Sequence, residues 1–200
     1  MAANEAQMSG KFSAVLVTRG GVDLTPILNS LPAAVDDVVI WDNSKRPEDL
    51  KVLGRYAAVT EARHHAIYTQ DDDCVVDVAA VLATYEQAPP GLVVANMPLA
   101  KRAEYAVLCG QTYPGIALVG WGACFDAERI RVLDRYIAGY GRDELLLREC
   151  DRVFTALNRV TLIDVPFTHL PHAFAGRMGN EARHLGDLEK IQGRIDWLAP

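Results

Sequence analysis

Three consecutive aspartates, Asp71, Asp72 and Asp73, are the residues whose type and spacing most directly indicate chemistry, and they follow an apolar segment at residues 66–69. Adjacent carboxylates repel at neutral pH, and each raises the pKa of its neighbour. A bound cation removes that cost, and oxygen ligands suit Mg²⁺ or Mn²⁺. Asp71 and Asp73 could share one face of an extended segment. The alternative is a solvated turn in which Asp73 caps the next helix.

Other polar clusters follow short apolar segments in the same way. They are Arg19-Gly20-Gly21, Asp42-Asn43-Ser44 and Gly120-Trp121-Gly122. Apolar, β-branched runs predict strands at residues 13–18, 37–41, 56–59, 66–69, 92–96, 116–119 and 160–165. Helical patterns cover residues 24–31, 47–53, 75–85, 127–137, 144–158 and 185–198.

The alternation of strands and helices predicts an α/β fold, a three-layer α/β/α sandwich with a mainly parallel, Rossmann-like sheet. In such sheets ligands bind beyond the carboxyl ends of the strands, where these polar clusters lie. We expect a flexible amino terminus (residues 1–11), one α/β domain (12–172), and a carboxyl-terminal loop and helix (173–200).

Composition limits the classes of function. The chain has 200 residues, half of them hydrophobic, and a net charge of −6. This acidic balance argues against nucleic-acid binding, which depends on basic patches. No apolar stretch is long enough to span a membrane, and the first residues do not resemble a signal peptide. The four cysteines are widely spaced, which favours reduced thiols in a cytoplasmic protein.

The order of these motifs resembles the nucleotide-sugar glycosyltransferases of the GT-A fold, and the pattern is most similar to the family 2 type. The resemblance covers residues 12–172. It rests on a first strand ending in Thr18-Arg19-Gly20, a second ending in Asp42-Asn43-Ser44, the aspartate triplet, and the later segment Gly120-Trp-Gly-Ala-Cys-Phe125.

The resemblance implies a metal-dependent enzyme that moves a sugar, expected to be a hexose, from a nucleoside-diphosphate sugar to an acceptor hydroxyl. A UDP-sugar is the favoured donor, and the acceptor is a protein, glycan, lipid or small molecule. One alternative is a nucleotidyltransferase that makes sugar nucleotides, although the first turn is short for a triphosphate loop. The other is a non-catalytic interaction module on the same fold.

The resemblance also implies a metal site. Asp73 is then the direct ligand of Mn²⁺ or Mg²⁺, and Asp71 supports it through water or contacts the donor's ribose and sugar, while Asp72 could do either. His169 is favoured over His172 as a further ligand, which would tilt the site towards Mn²⁺.

Residues that contact the donor are implied in the same way. They are Thr18, Arg19 and Gly20 near the base or diphosphate, Asp42 with Asn43 at the base, Arg63 before the fourth strand, Trp121 at the acceptor mouth, and Arg177 in a closing loop. Four of these residues also have a structural alternative: Asp42 could close a turn, Trp121 could anchor a loop, and Arg63 and Arg177 could be surface arginines. The loop and helix at 173–200 would then pack on or cap the active site.

A general base is required if the reaction inverts the anomeric centre. The candidates, in order of preference, are Asp151, Glu149 and Asp143. The string from Glu149 to Thr155 resembles the base-bearing helix of related transferases. The alternatives are an exposed carboxylate paired with a neighbouring arginine for Asp151, and a helix cap for Asp143.

Overall fold

A computed structural model describes residues 10–99, 102, 119–171 and 181–198 of the chain. Its strands are β1 (Phe12–Thr18), β2 (Val35–Asp42), β3 (Ala66–Asp71), β4 (Cys74–Val76), β5 (Val93–Asn96), β6 (Ala123–Asp126), β7 (Val160–Ile163) and β8 (Phe167–His169). Its α-helices are α1 (Thr25–Leu28), α2 (Gly54–Ala58), α3 (Val78–Gln87), α4 (Val132–Tyr140), α5 (Glu144–Leu157) and α6 (Glu181–Leu198). Short 3-10 helices occupy Asn43–Lys45, Lys51–Leu53, Val59–Glu61 and Ala127–Arg131. None of the helices within these residues has the length and apolarity to cross a membrane.

Six strands form one sheet in the order β2-β1-β3-β6-β5-β7. β1 pairs in parallel with β2 and β3, and β5 pairs in parallel with β7, whereas β6 runs antiparallel to both of its neighbours. Every residue of β1 is buried, as expected for an inner strand covered on both faces. The predicted α/β fold with a mainly parallel sheet is confirmed.

Helices cover both faces of this sheet, because inner strands such as β1 send alternate apolar side chains to opposite sides. Val15 contributes to a core with α2, α4, α5 and α6, whereas Phe12 and Ala14 contribute to a second core with α3 and β4. α5 buries much of its surface in the first core, including Val153 and Phe154. The helix that carries the candidate base is therefore fixed on the sheet.

A second, two-stranded sheet joins β4 to β8 in antiparallel register. β4 directly follows the aspartate triplet, and β8 carries His169. The sequence predicted neither strand, because three-residue strands are too short for a hydrophobic period to reveal.

Two predicted strands differ from the structure. Residues 56–59 form α2 and the start of a 3-10 helix instead of a strand. A short apolar run fits either element, and here Tyr56 and Ala58 bury a helical face in the core. The predicted strand at 116–119 falls largely outside the described residues, and Val119 lies in a bend. Within the described part of this region, β6 is the strand, and it follows the Gly-Trp-Gly segment.

Candidate active site

Three polar strand ends lie side by side in the large sheet. Thr18 at the end of β1 is the register partner of Asp42 on β2, and Val17 is the partner of Asp71 on β3. The Gly-Trp-Gly segment reaches the same edge because β6 is antiparallel and begins where β3 ends. This is the edge at which open α/β sheets bind ligands.

The turn after β1 is packed against the turn after β2. Gly20 has φ +84°, and a Cβ placed on it would lie 2.4 Å from Ser44 Oγ and 3.0 Å from Asp42 Oδ1. The Gly20 amide donates a hydrogen bond of 3.1 Å to Thr18 Oγ1. Only glycine combines this left-handed conformation with so close an approach, so the two turns form one continuous surface.

Asp42 closes its own turn, which is the alternative role that the sequence left open. Its Oδ1 accepts hydrogen bonds from the Ser44 amide at 3.0 Å and the Ser44 hydroxyl at 2.6 Å. Its Oδ2 lies 2.9 Å from Lys45 Nζ. The hydrogen bond from the Ser44 side chain, followed by that from Lys45, lowers the pKa of Asp42. A charged acceptor therefore lies at the end of β2 at neutral pH.

Asn43 directs its side chain into the following loop, and its expected contact with the donor stays a prediction. Its carboxamide oxygen accepts from Trp41 Nε1 at 3.1 Å and from the Leu50 amide at 3.0 Å. Its amide group donates to the Lys51 carbonyl at 3.1 Å. Asn43 is buried and stabilises the following loop.

Arg63 lies at the opposite edge of the sheet, and its expected contact with the donor stays a prediction. Its backbone amide donates to Asp37 Oδ2 at 2.8 Å, near the start of β2, and its guanidinium lies 3.7 Å from the same carboxylate. Arg19 is exposed and directly follows Thr18 at the carboxyl edge. Arg177 and His172 lie outside the described residues.

Asp71 is held against Gly120. The Asp71 amide donates to the Gly120 carbonyl at 2.8 Å, and a Cβ on Gly120 would lie 2.1 Å from Asp71 Oδ2. The Asp71 side chain is still 40% exposed. The glycine-rich segment therefore supports the first aspartate of the triplet.

The aspartate turn is fixed from beneath by Gln70, which is fully buried. Gln70 Nε2 donates to the Cys74 carbonyl at 2.6 Å and to the Asp71 carbonyl at 3.3 Å. Gln70 Oε1 accepts from the Tyr68 hydroxyl at 2.7 Å. Both ends of the triplet are therefore fixed by one buried carboxamide.

Asp73 does not cap α3, because β4 lies between them and α3 begins at Val78. The cap is Asp77, whose Oδ1 accepts from the Ala80 amide at 3.2 Å. This excludes the capping alternative for Asp73. Asp72 lies in the same half-buried turn.

Pairing of β4 with β8 brings His169 beside the aspartate turn. Cys74 is the register partner of His169, and the Leu170 amide donates to the Asp73 carbonyl at 2.7 Å. The His169 ring also packs edge-on against Phe167, with ring centroids 5.0 Å apart. Asp73, in the turn just before β4, and His169, at the end of β8, were predicted separately and lie side by side in the fold.

Trp121 packs inside the protein, and its expected place at the acceptor mouth stays a prediction. It is 4% exposed and stacks on Phe167 with ring centroids 4.7 Å apart. Its ring meets His169 edge-on at 6.3 Å. Trp121 anchors its loop and supports the histidine.

Asp151 on α5 lies next to Asp71 through a buried arginine. Arg55 Nη1 donates to Asp151 Oδ2 at 2.6 Å, and Arg55 Nη2 contacts Asp71 Oδ1. The Tyr56 hydroxyl donates to Asp151 Oδ1 at 2.7 Å. The Asp151 side chain is 22% exposed.

Burial and the nearby charge of Asp71 raise the pKa of Asp151, although Arg55 opposes them. Burial alone would lower the pKa of Arg55, but the charges of Asp151 and Asp71 outweigh it and raise that pKa. Arg55 is therefore a permanent cation. A carboxylate with a raised pKa is a better proton acceptor than an ordinary aspartate.

The other two base candidates have different surroundings. Asp143 caps α5 by accepting from the Leu146 amide at 3.0 Å, and it lies 2.6 Å from Arg194 Nη1 on α6. It therefore has the structural role that the sequence left open. Glu149 is buried at a kink in α5, where its φ of −115° and ψ of 20° leave the helical range. Of the three candidates, Asp151 is the one that Arg55 joins to Asp71 at the strand edge.

The donor atoms at this edge suit a metal ion that takes its remaining ligands from a diphosphate and water. Within the described residues, no group of three His, Cys, Asp or Glu side chains is arranged to hold a metal ion. Mg²⁺ in nucleotide sites is commonly bound through one or two carboxylates, with phosphate oxygens and water completing its shell. Asp71 and Asp73, with His169 on the adjoining strand, fit that kind of site.

Sequence reasoning missed Arg55, Tyr56 and Gln70, which position the candidate residues. Arg55 and Tyr56 fell next to or inside a segment predicted as a strand. The available signal was an arginine amid an apolar run, since a buried arginine requires carboxylate partners. Gln70 gave a similar signal as a polar residue between a buried strand and the triplet.

The sheet order, the carboxyl-edge site and the small second sheet define a GT-A-type fold. The structure is similar to glucosyl-3-phosphoglycerate synthase from Mycobacterium tuberculosis in complex with Mg²⁺ and UDP, with 10% identity and a TM-score of 0.55 over 94% of this chain and 80% of that one. A complex of the same synthase with Mn²⁺, UDP and phosphoglyceric acid matches at 12% identity and a TM-score of 0.54, over 94% and 79%. A mycobacterial protein matches at 12% identity and a TM-score of 0.53, over 96% and 77%. No family model and no curated protein matches the sequence.

Proposed function

We propose that this protein is a metal-dependent glycosyltransferase that moves a hexosyl group from a UDP-sugar to an acceptor hydroxyl. The observation that supports it most is the meeting of Asp71 and Asp73 with Asp151 and His169 at one edge of the sheet. Two structural neighbours are described as complexes with UDP and Mg²⁺ or Mn²⁺. Those ligands are therefore suitable first probes.

In this proposal Asp73 is the direct metal ligand, Asp71 supports it, and His169 completes the protein's share of the shell. When bound, Mn²⁺ or Mg²⁺ would supply Lewis-acid stabilisation of the diphosphate leaving group. Thr18 and Arg19 would lie towards the nucleotide, and Asp42 would offer its charged acceptor to the base.

Asp151 is the proposed general base. Its carboxylate takes the proton of the acceptor hydroxyl as the acceptor oxygen bonds to the anomeric carbon. The bond from that carbon to the diphosphate oxygen breaks, and its electron pair leaves with UDP. Arg55 and Tyr56 use two of the roughly four lone-pair sites of the carboxylate, so sites remain for the acceptor.

Product analysis tests the reaction class. The purified protein is incubated with a panel of UDP-sugars, Mn²⁺ and candidate protein, glycan, lipid and small-molecule acceptors. Release of free UDP with a glycosylated acceptor would support the proposal. Pyrophosphate formed from UTP and a sugar phosphate would instead identify a nucleotidyltransferase, and absence of nucleotide binding would indicate an interaction module. The cytoplasmic location and the capping role of residues 173–200 stay predictions.

A further inference from the structure

Arg55 is fully buried, and two carboxylates from different elements share its guanidinium. One terminal nitrogen binds Asp151 of α5, and the other binds Asp71 of β3. A guanidinium is a rigid planar fork. A single side chain therefore sets the separation between the end of β3 and the candidate base.

The backbone that carries Arg55 is itself fixed. A Cβ on Gly54, the first residue of α2, would lie 2.4 Å from Trp41 Cδ1, so the helix begins in close contact with the Trp41 indole. Tyr56, the next residue after Arg55, packs on Phe154 of α5 with ring centroids 4.9 Å apart. Arg55 consequently has little freedom to follow either carboxylate alone.

We infer that Arg55 is a positioning residue that couples the donor side of the site to its acceptor side. This inference deepens the proposed function and rests on it. Arg55 orients Asp71 for the donor and Asp151 for the acceptor without touching either substrate. A lysine at this position keeps the charge but cannot reproduce a fork that binds two carboxylates in fixed directions.

Coupling of this kind predicts a particular pattern of kinetic effects. Loss of the fork disturbs donor binding through Asp71 and proton transfer through Asp151. The effect on donor binding persists when Asp151 is replaced. The effect on proton transfer disappears, because the base is already absent. A merely structural role for Arg55 would instead lower activity in proportion to the folded fraction, whichever residue stands at position 151.

The test is a double-mutant cycle on Arg55→Lys and Asp151→Asn. The substrate is the UDP-sugar that most stabilises the wild-type protein with Mn²⁺, water serves as the acceptor, and UDP release gives kcat and KM. Arg148→Lys is the matched control. Arg148 lies on α5, as Asp151 does, and pairs with Asp187 of α6 at 2.9 Å. We expect the control to retain wild-type kcat and KM.

We expect Arg55→Lys to raise the donor KM several-fold and to lower kcat about 10- to 100-fold. The double variant should show the same raised KM, and its kcat should lie within about threefold of that of Asp151→Asn. Additive losses in kcat, or no effect of Arg55→Lys beyond the control, would overturn the inference. If Arg55→Lys does not fold, Arg55→Gln, which keeps a hydrogen-bond donor but no fork, replaces it in the cycle, and additive losses in kcat with Asp151→Asn overturn the inference equally. A wild-type protein that binds no UDP-sugar would overturn the proposed function and this inference together.

Discussion

Gly120 lies directly against the carboxylate of Asp71. A Cβ on Gly120 would come within 2.1 Å of Asp71 Oδ2, and the Gly120 carbonyl accepts from the Asp71 amide at 2.8 Å. Real Cβ atoms do not approach oxygen so closely, so any larger residue must displace the aspartate. The segment before β6 therefore controls where the first aspartate of the triplet points.

Gly120→Ala tests this relationship. Displacement of Asp71 should weaken Mn²⁺-dependent UDP binding about tenfold or more, and overpacking should lower the free energy of unfolding by about 1–3 kcal/mol. Isothermal titration calorimetry and urea unfolding measure the two effects. Gly193→Ala is the control, because nothing lies within 4 Å of a Cβ there. Equal behaviour of the two variants would show that Gly120 does not position the carboxylate.

Asp73→Ala tests the metal assignment. Loss of a direct ligand should reduce the Mn²⁺-dependent affinity for UDP by about 10- to 100-fold or more, the range seen even for weaker outer-shell changes. The melting temperature without ligand should stay close to that of wild type. Asp134→Ala, which removes an exposed carboxylate of α4, is the control. Undiminished Mn²⁺-dependent UDP binding by Asp73→Ala would remove the assigned ligand.

Asp151→Asn tests the general base. Asparagine cannot accept the acceptor's proton, so kcat for transfer should fall about 10²- to 10⁴-fold, while UDP binding changes little. Asp143→Asn should retain the wild-type kcat, because Asp143 caps the amino terminus of α5 and does not contact the strand edge. Steady-state kinetics on the two variants separates the candidates. Normal transfer by Asp151→Asn would mean that the base lies elsewhere or that the reaction retains the anomeric configuration.

The sequence predicted the fold class and the edge of the sheet at which the site lies. Both depend on features that a single chain displays, namely apolar runs and the polar residues that end them. Asp71, Asp73 and His169 were proposed as site residues on this basis and by resemblance. Their convergence at one edge depends on β4 and β8, which are too short for the sequence to reveal.

The side chains that position the site could not be predicted for a different reason. The partners of Arg55 are 16 and 96 residues away in the chain. Long-range contacts of this kind leave no local pattern. The burial of Trp121 and Asn43 could not be predicted, because the sequence does not show whether a polar or aromatic residue at a strand end faces the ligand or the core.

The pair between Asp143 and Arg194 predicts a pH-dependent stability. Burial alone would raise the pKa of Asp143, but the hydrogen bonds from Arg194 and the Leu146 amide outweigh it and lower that pKa from its usual value. A lowered pKa gives stability that is present above the unfolded value and is lost as the pH falls through the folded value.

Asp143→Asn keeps a good helix cap but removes the charge. At pH 7 it should lower the free energy of unfolding by about 0.2–1 kcal/mol, the range for partly exposed ion pairs. The difference from wild type should shrink below about pH 4, as wild-type Asp143 becomes protonated. Urea unfolding between pH 7 and pH 3.5 measures it. A difference that does not change with pH would show that the ion pair contributes nothing.

Thermal unfolding with UDP, in the presence and absence of Mn²⁺, tests most directly whether the aspartate turn and His169 bind a metal-bridged diphosphate. A ligand that binds only the folded state adds about 2.7 kcal/mol of stability at 100 times its dissociation constant, so the melting temperature should rise with UDP concentration. We expect that rise when Mn²⁺ is present and not when EDTA replaces it. An unchanged melting temperature with every nucleoside diphosphate and UDP-sugar, with or without Mn²⁺ or Mg²⁺, would contradict the account.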